Sequence, residues 1–158
     1  MTKIRYEIDL GAFASEVTYT RAIRAISAED LDALANLMLD AYIGTIDYDG
    51  EDYEDAVGEV GDYLSDRPLL DHSYTTEIGG ELASAVLVSL IDDQPFIGYV
   101  MTRAEHKNKG LARMLTTRAL TSLAASGHDR VVFYITEGNL ASEALFRSLG
   151  AAPVPEPD

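Results

Sequence analysis

A chain of 158 residues, 47% of them apolar and 25% charged, has material for one domain with a real core and not for two. Without cysteine it can form no disulfide, thiol nucleophile or thiolate zinc site, and a reducing cytoplasm is its expected home. Its formal net charge of -15, from 27 acidic residues against 12 Lys plus Arg, repels polyanions, so neither nucleic acid nor an anionic membrane is an expected partner.

Near the amino terminus, Ile4, Tyr6, Ile8 and Leu10 alternate with Arg5, Glu7 and Asp9, the period of a half-buried strand, and those charges fit no signal peptide. A second strand is expected over 17–26, with Arg21 and Arg24 leaving its inner face undecided. Ser27 followed by Asp30 predicts a helix start, and Leu31, Leu34, Ala35, Met38 and Tyr42 fall on one helical stripe. After a loop over 44–50, Tyr53, Ala56, Val57, Val60 and Leu64 predict a second helix that ends before Pro68.

Gly79-Gly80 joins two strands, "SYTTEI" and "ELASAVLVSLI", and the longest apolar run, "LASAVLVSL", is too short to cross a bilayer. "DDQP" turns the chain into a strand over 96–102, "FIGYVMT", which leads directly into "HKNKGLAR". Leu111, Leu115, Ala119 and Leu123 predict a helix that ends at Gly127. A strand "RVVFYIT", a short helix "NLASEALFRSL" closed by Gly150, and a proline-punctuated tail complete the chain. No repeat, linker or shift in composition divides it, so a single domain over 1–158 is expected, with an extra strand segment at 1–16 and a tail at 152–158.

Five of the twelve cations, Arg103, Lys107, Lys109, Arg113 and Arg118, fall in one stretch of sixteen residues that holds a single acid, Glu105. Gly110 sits where strand gives way to helix, and a residue without Cβ lets the backbone approach a ligand closely. The first N–H groups of a helix have no partner within it, and the helix dipole places positive potential there. Phosphate or pyrophosphate suits such a place, with Lys107, Lys109 and Arg113 alongside. Neither the GxxxxGK[ST] nor the GxGxxG pattern is present.

"KNKGLA" resembles the (Arg/Gln)-x-x-Gly-x-(Gly/Ala) signature of the GNAT superfamily of N-acetyltransferases, with Lys107 in place of the usual Arg or Gln. "NLASEALFRSLGA" is similar to a second motif of that family, keeping Asn139, Leu145 and Gly150, and the element order resembles the family's over about 17–151. The resemblance implies an α/β (α+β) fold: a mixed, mostly antiparallel sheet flanked by helices. It implies acetyl-CoA or another acyl-CoA as cofactor. Backbone N–H groups of Asn108, Lys109, Gly110, Leu111, Ala112 and Arg113 would then cradle the pyrophosphate. The strand edge at Val100, Met101 and Thr102 would pair with the pantetheine amides, and Asn139 would contact the cofactor arm while serving as a helix N-cap.

The resemblance further implies N-acetyl transfer to a primary amine by direct attack, without a covalent enzyme intermediate. The tyrosine that many relatives use as acid is replaced by Phe146, which has no proton to give. Tyr134 is the preferred substitute, as catalytic group or as a tyrosine merely packed on its strand; Ser142 and water are the others. Glu77, Asp92 and Glu137 are acids near strand or loop ends, none favoured as base. His106 is expected to point to solvent, and His72 and His128 have no metal-ligand spacing.

Relatives usually continue through another strand pair where this chain has "AAPVPEPD", so the final hairpin is expected to be truncated or lost. The amino-terminal strand, or a partner subunit in a homodimer, would cover that edge. Positions 47–62 hold eight acids and no base, with Tyr48 and Tyr53 among them, which suits a small cationic acceptor or a merely solvated helix face. Two other readings stand beside the enzyme: an acyl-CoA-binding sensor or scaffold with little or no activity, and a nucleotide-binding α/β domain.

Overall fold

The computed structural model describes residues 2–13 and 21–157. Lys3–Asp9 forms β1, in which Tyr6 and Ile8 are buried and Lys3 and Asp9 exposed, as the alternation predicts. The expected second strand is reduced to Arg24–Ala25, β2, and positions 17–20 of that expectation lie outside the described residues. Arg24 turns outward and holds Asp30 through two hydrogen bonds of 2.9 Å.

Ser27 and Asp30 do form a capping box: Ser27 Oγ accepts from Glu29 N at 3.2 Å, and Asp30 accepts from Ser27 N at 2.8 Å. It opens a single 3-10 turn, which passes into α1 at Leu31–Tyr42. The next helix, α2 at Tyr53–Ser65, begins at a second box, Asp52 with Asp55, which the acidic run conceals in the sequence. Tyr53, counted on its apolar stripe, is exposed, because its place at the helix start lifts it clear of the core.

Two tight hairpins join β3 (Tyr74–Ile78), β4 (Glu81–Ile91) and β5 (Gln94–Thr102). Both central residues of each turn, Gly79-Gly80 and Asp92-Asp93, have positive φ, whose twist matches that of the flanking strands. As the middle strand, β4 is buried on both faces from Leu82 to Val88. Val86 and Val88 join the core under α3 (Leu111–Ala125), whereas Ala85 and Leu87 join the core under α1 and α2.

β6 (Arg130–Thr136), α4 (Leu140–Ser148) and β7 (Ala152–Pro153) complete the fold. The sheet order is β2-β3-β4-β5-β6-β1-β7, and every neighbouring pair is antiparallel except β5 with β6. The carboxyl-terminal strand is two residues long, and one further backbone bond, from Val154 N to Arg5 O at 2.9 Å, carries the tail along β1. β1 instead lies along the whole of β6, from Lys3 opposite Thr136 to Asp9 opposite Arg130. The amino-terminal strand thus covers the edge of β6 that faces away from β5.

Candidate active site

β5 and β6 run parallel yet pair only where Phe96 meets Val132. Beyond that point each strand is held on its far side, β5 by β4 as far as Thr102 and β6 by β1 as far as Thr136, and the two diverge. Gly98 aids the parting: Leu87 pairs with Tyr99 and Val88 with Ile97, so Gly98 is the extra residue of a bulge, which bends the strand. The gap is a cleft of about 1210 Å³, lined from both faces of the sheet.

At one end the cleft meets the start of α3. Gly110 is the N-cap with φ +79, no side chain caps the helix, and Met114 N, bonded to Gly110 O at 3.0 Å, is the first N–H satisfied along it. The N–H groups of Leu111, Ala112 and Arg113 are therefore left for a ligand. Asn108 also has positive φ, and an added Cβ at Gly110 would meet no atom within 4 Å, so the space over this turn is open. Val100, Met101, Thr102, Asn108, Gly110, Leu111, Ala112, Arg113, Tyr134 and Asn139 all line this cleft, and Lys109 stands beside it with Nζ 3.3 Å from His106 Nδ1.

The basic stretch divides by role. Arg103 is 7% exposed and serves the fold, donating to Leu82 O at 3.2 Å and Asn36 Oδ1 at 3.0 Å with Asp40 and Glu81 nearby. Arg118 stacks over the Tyr74 ring at 4.6 Å. Lys107 donates to Ala41 O at 3.0 Å near the end of α1, so its ammonium is drawn to that helix rather than to the turn. Arg113, bonded to Ser148, and Lys109 are the two cations left at the turn. His106, expected in solvent, keeps only 14% of its side chain exposed, held between Glu105 and Lys109 at the cleft wall.

The opposite wall, from the loop after α1 and from α2, is acidic. Asp47, Asp49, Glu51, Asp55 and Glu59 line it, with Tyr42 and Tyr99 between them. Tyr99 donates a hydrogen bond to Glu59 Oε2. Burial, then that bond and the carboxylate charge, hold the Tyr99 phenol above its usual range; burial, then Asp47 and Glu59, do the same to Tyr42. Asp47 spans the cleft mouth, accepting from Thr136 Oγ1 at 2.7 Å and Asn139 Nδ2 at 3.3 Å.

Asn139 is indeed an N-cap, its Oδ1 accepting from Ser142 N at 3.2 Å. Tyr134, 38% exposed, donates to Glu156 Oε2 at 2.9 Å, and that bond raises its phenol from the ordinary value. Phe146 is buried against Phe133, ring centroids 4.2 Å apart. His72 and His128, which have no metal-ligand spacing, come together edge to face at 6.2 Å, outside the cleft. Among the described residues no group of three or more His, Cys, Asp or Glu suits a metal ion, and no helix is long and apolar enough to cross a membrane.

The acidic run over 47–62 is legible in the sequence, but not that Glu59 within it meets Tyr99, nor that Tyr99 and Tyr42 line the cleft. Forty positions separate the bonded Tyr99 and Glu59, and no local pattern joins them.

The sequence matches no curated protein, but solved structures share the fold. The GCN5-related N-acetyltransferase of Sphaerobacter thermophilus superposes with a TM-score of 0.74 at 16% identity over 96% of this chain, which spans 48% of that protein. The ribosomal-protein-S18-alanine N-acetyltransferase of Escherichia coli gives 0.68 at 16% identity, covering 87% of this chain and 96% of its own. The diaminobutyrate acetyltransferase of Paenibacillus lautus, solved with L-2,4-diaminobutyric acid and coenzyme A, gives 0.62 at 20% identity over 80% of this chain and 72% of its own. The model of the Acetyltransferase (GNAT) family matches residues 31–151, from the first turn of α1 to the last residue before β7. With that match spanning most of the sequence and the parted strands beneath an uncapped helix, the chain belongs to the GNAT family of acetyltransferases.

Proposed function

We propose that this protein transfers an acetyl group from acetyl-CoA, or a related acyl group from its CoA ester, to a primary amine of a small cationic acceptor. The observation that carries the reading is one cleft with two kinds of wall. One is an uncapped helix start with open space over Gly110; the other is a row of carboxylates.

The residues present fit an acyl-CoA. The free N–H groups of Leu111, Ala112 and Arg113, with those of Asn108, Lys109 and Gly110 in the turn before them, would hold the pyrophosphate, and Lys109 and Arg113 would add charge-assisted contacts. The edge of β5 at Val100, Met101 and Thr102, left unpaired by β6, would take the pantetheine amides as an added strand. Asn139 Nδ2 would hold the cofactor arm on leaving Asp47. Bound there, the cofactor supplies a thioester carbonyl open to attack and a thiolate that leaves readily. Tyr134 would give the leaving sulfur its proton on leaving Glu156: the bond to that carboxylate raises its phenol, which keeps the proton at neutral pH.

The acidic wall supports a cationic acceptor through its local field, beyond the general charge of the chain. The diaminobutyrate enzyme acetylates a small diamine on the same fold. A panel of spermidine, an aminoglycoside, a lysine derivative and neutral and anionic amines tests the reading. CoA thiol should be released fastest with the cationic amines; equal or faster release with the neutral or anionic ones sinks the acceptor assignment.

One observation favours a second reading, an acyl-CoA-binding module without turnover. Phe146 is locked in the core with no hydroxyl to offer. Acetyl-CoA binding by calorimetry with no thiol release on any amine of the panel would select it.

A further inference from the structure

Tyr99 and Glu59 meet at the acidic wall of the cleft with no structural need for each other. The Tyr99 ring packs beside the core under α1 and α2, and Glu59 is exposed on α2, free to choose water. A carboxylate with that choice is nevertheless bonded to a phenol that lines the cleft next to the Gly98 bulge, where β5 leaves β6. Tyr42 lies within the influence of Tyr99, and among the described residues its hydroxyl has no hydrogen-bond partner.

We propose that Tyr99 is the catalytic group that takes the proton from the acceptor nitrogen, and that Glu59 is the positioning residue that receives the phenol's own proton and passes it to solvent. The proposal rests on the acetyltransferase reading of the same cleft. A neutral amine attacks; as its nitrogen bonds to the thioester carbonyl carbon the nitrogen becomes acidic, and a carboxylate reached through a phenol is base enough to take its proton. The N–H proton moves to Tyr99 Oη while the Tyr99 proton moves to Glu59 Oε2. The C–S bond breaks with its pair on sulfur, and Glu59 releases its proton to water.

The groups facing the pair are Glu59 and Asp62 from α2, Tyr42 from α1, and Asp47 from the loop after it, acting on Tyr42. All are neutral or anionic, so they hold the phenol protonated until the nitrogen's proton arrives. Burial of Tyr99 works in the same direction.

Two readouts test the relay in the full chain. Tyr99→Phe keeps the ring and its packing; kcat with the best acceptor should fall about 100-fold while KM and CoA affinity stay within about threefold. Glu59→Gln should lower kcat about tenfold with KM unchanged, because the phenol then has no carboxylate to receive its proton. A Tyr99→Phe or a Glu59→Gln variant with wild-type kcat overturns the proposal. The second readout needs no turnover. The Tyr99 ring resonance, assigned with the phenylalanine variant, should shift when spermidine is added to the CoA-bound protein, and shift less in Glu59→Gln. A signal indifferent to the amine also overturns the relay. An enzyme inactive on every amine, with the resonance still responding, would instead sink the transfer reading and leave the amine contact standing.

Discussion

The two walls of the cleft are built from different materials. At the start of α3 the groups left open are backbone N–H donors, and two residues with positive φ next to the helix, Asn108 and Gly110, set their direction. Across the cleft the groups that line it are side chains, Asp47, Glu59, Tyr42 and Tyr99, brought from α1, its following loop, α2 and β5. A site made of backbone is written in consecutive residues, because turn geometry and the glycine it needs are local. One made of side chains is assembled by packing. The first is therefore fixed by a few positions whose loss is severe, whereas the second spreads its effect over many charges.

Replacing Gly110 with valine should break that comparison most sharply. Positive φ disfavours a β-branched residue by about 1–2 kcal/mol, and no neighbouring atom lies within 4 Å to add a clash, so the fold should survive with a modest loss of stability. Loss of two charge-assisted N–H contacts, at roughly 1.5 kcal/mol each, would lower CoA affinity about 100-fold. Calorimetry on a variant that still unfolds cooperatively checks both halves, and unchanged affinity would remove the cradle.

A smaller effect is expected at the other wall. Asp47→Asn should raise KM for cationic acceptors about three- to tenfold, since one partly screened charge contributes about 1 kcal/mol. CoA affinity should not fall, because Asn139 is released from its bond to Asp47. The same KM should rise with added salt in the wild type and rise less in the variant. If KM is indifferent to both changes, the acidic wall is a solvated face and the contrast between the walls disappears.

The smallest effect comes from outside both walls. His72 accepts or donates at Ser122 Oγ, 2.5 Å away, and burial, then the nearness of His128, holds its imidazole below the ordinary value of 6.5. The folded state thus binds fewer protons than the unfolded chain below that value. Its contribution to stability is complete above about 6.5 and lost as pH falls toward the folded value. His72→Gln should flatten the fall in urea midpoint below neutral pH while CoA affinity stays as in wild type. The same slope in both proteins would show that His72 is not its source.

What the sequence discloses follows the same division. The order of helices and strands is legible because Leu34, Ala35 and Met38, or Leu111, Leu115 and Ala119, repeat at a helical period, and Gly79-Gly80 marks its hairpin. The cradle is legible for the same local reason. The pairing of β1 with β6 is not, since alternation in Lys3–Asp9 says which face is buried and nothing of the neighbour. Lys107 looks like a phosphate contact until α1 places the Ala41 carbonyl 3.0 Å from its ammonium. Tyr134 could be named as a candidate, but its bond to Glu156, 22 positions away, depends on where the tail returns beside β1. Asp47 bonds Thr136 across 89 positions, a relation that only the tertiary fold creates.

An acyl-CoA in the cleft between β5 and β6 would be held by the start of α3 at one end and by the edge of β5 along its length. Calorimetric titration of the full chain with CoA in the presence of ATP tests this most directly. CoA should bind with ATP a poor competitor, because ATP offers phosphates to Gly110 and its neighbours but no pantetheine to Val100, Met101 and Thr102. ATP displacing CoA as readily as CoA itself, or no heat of binding at all, would contradict it.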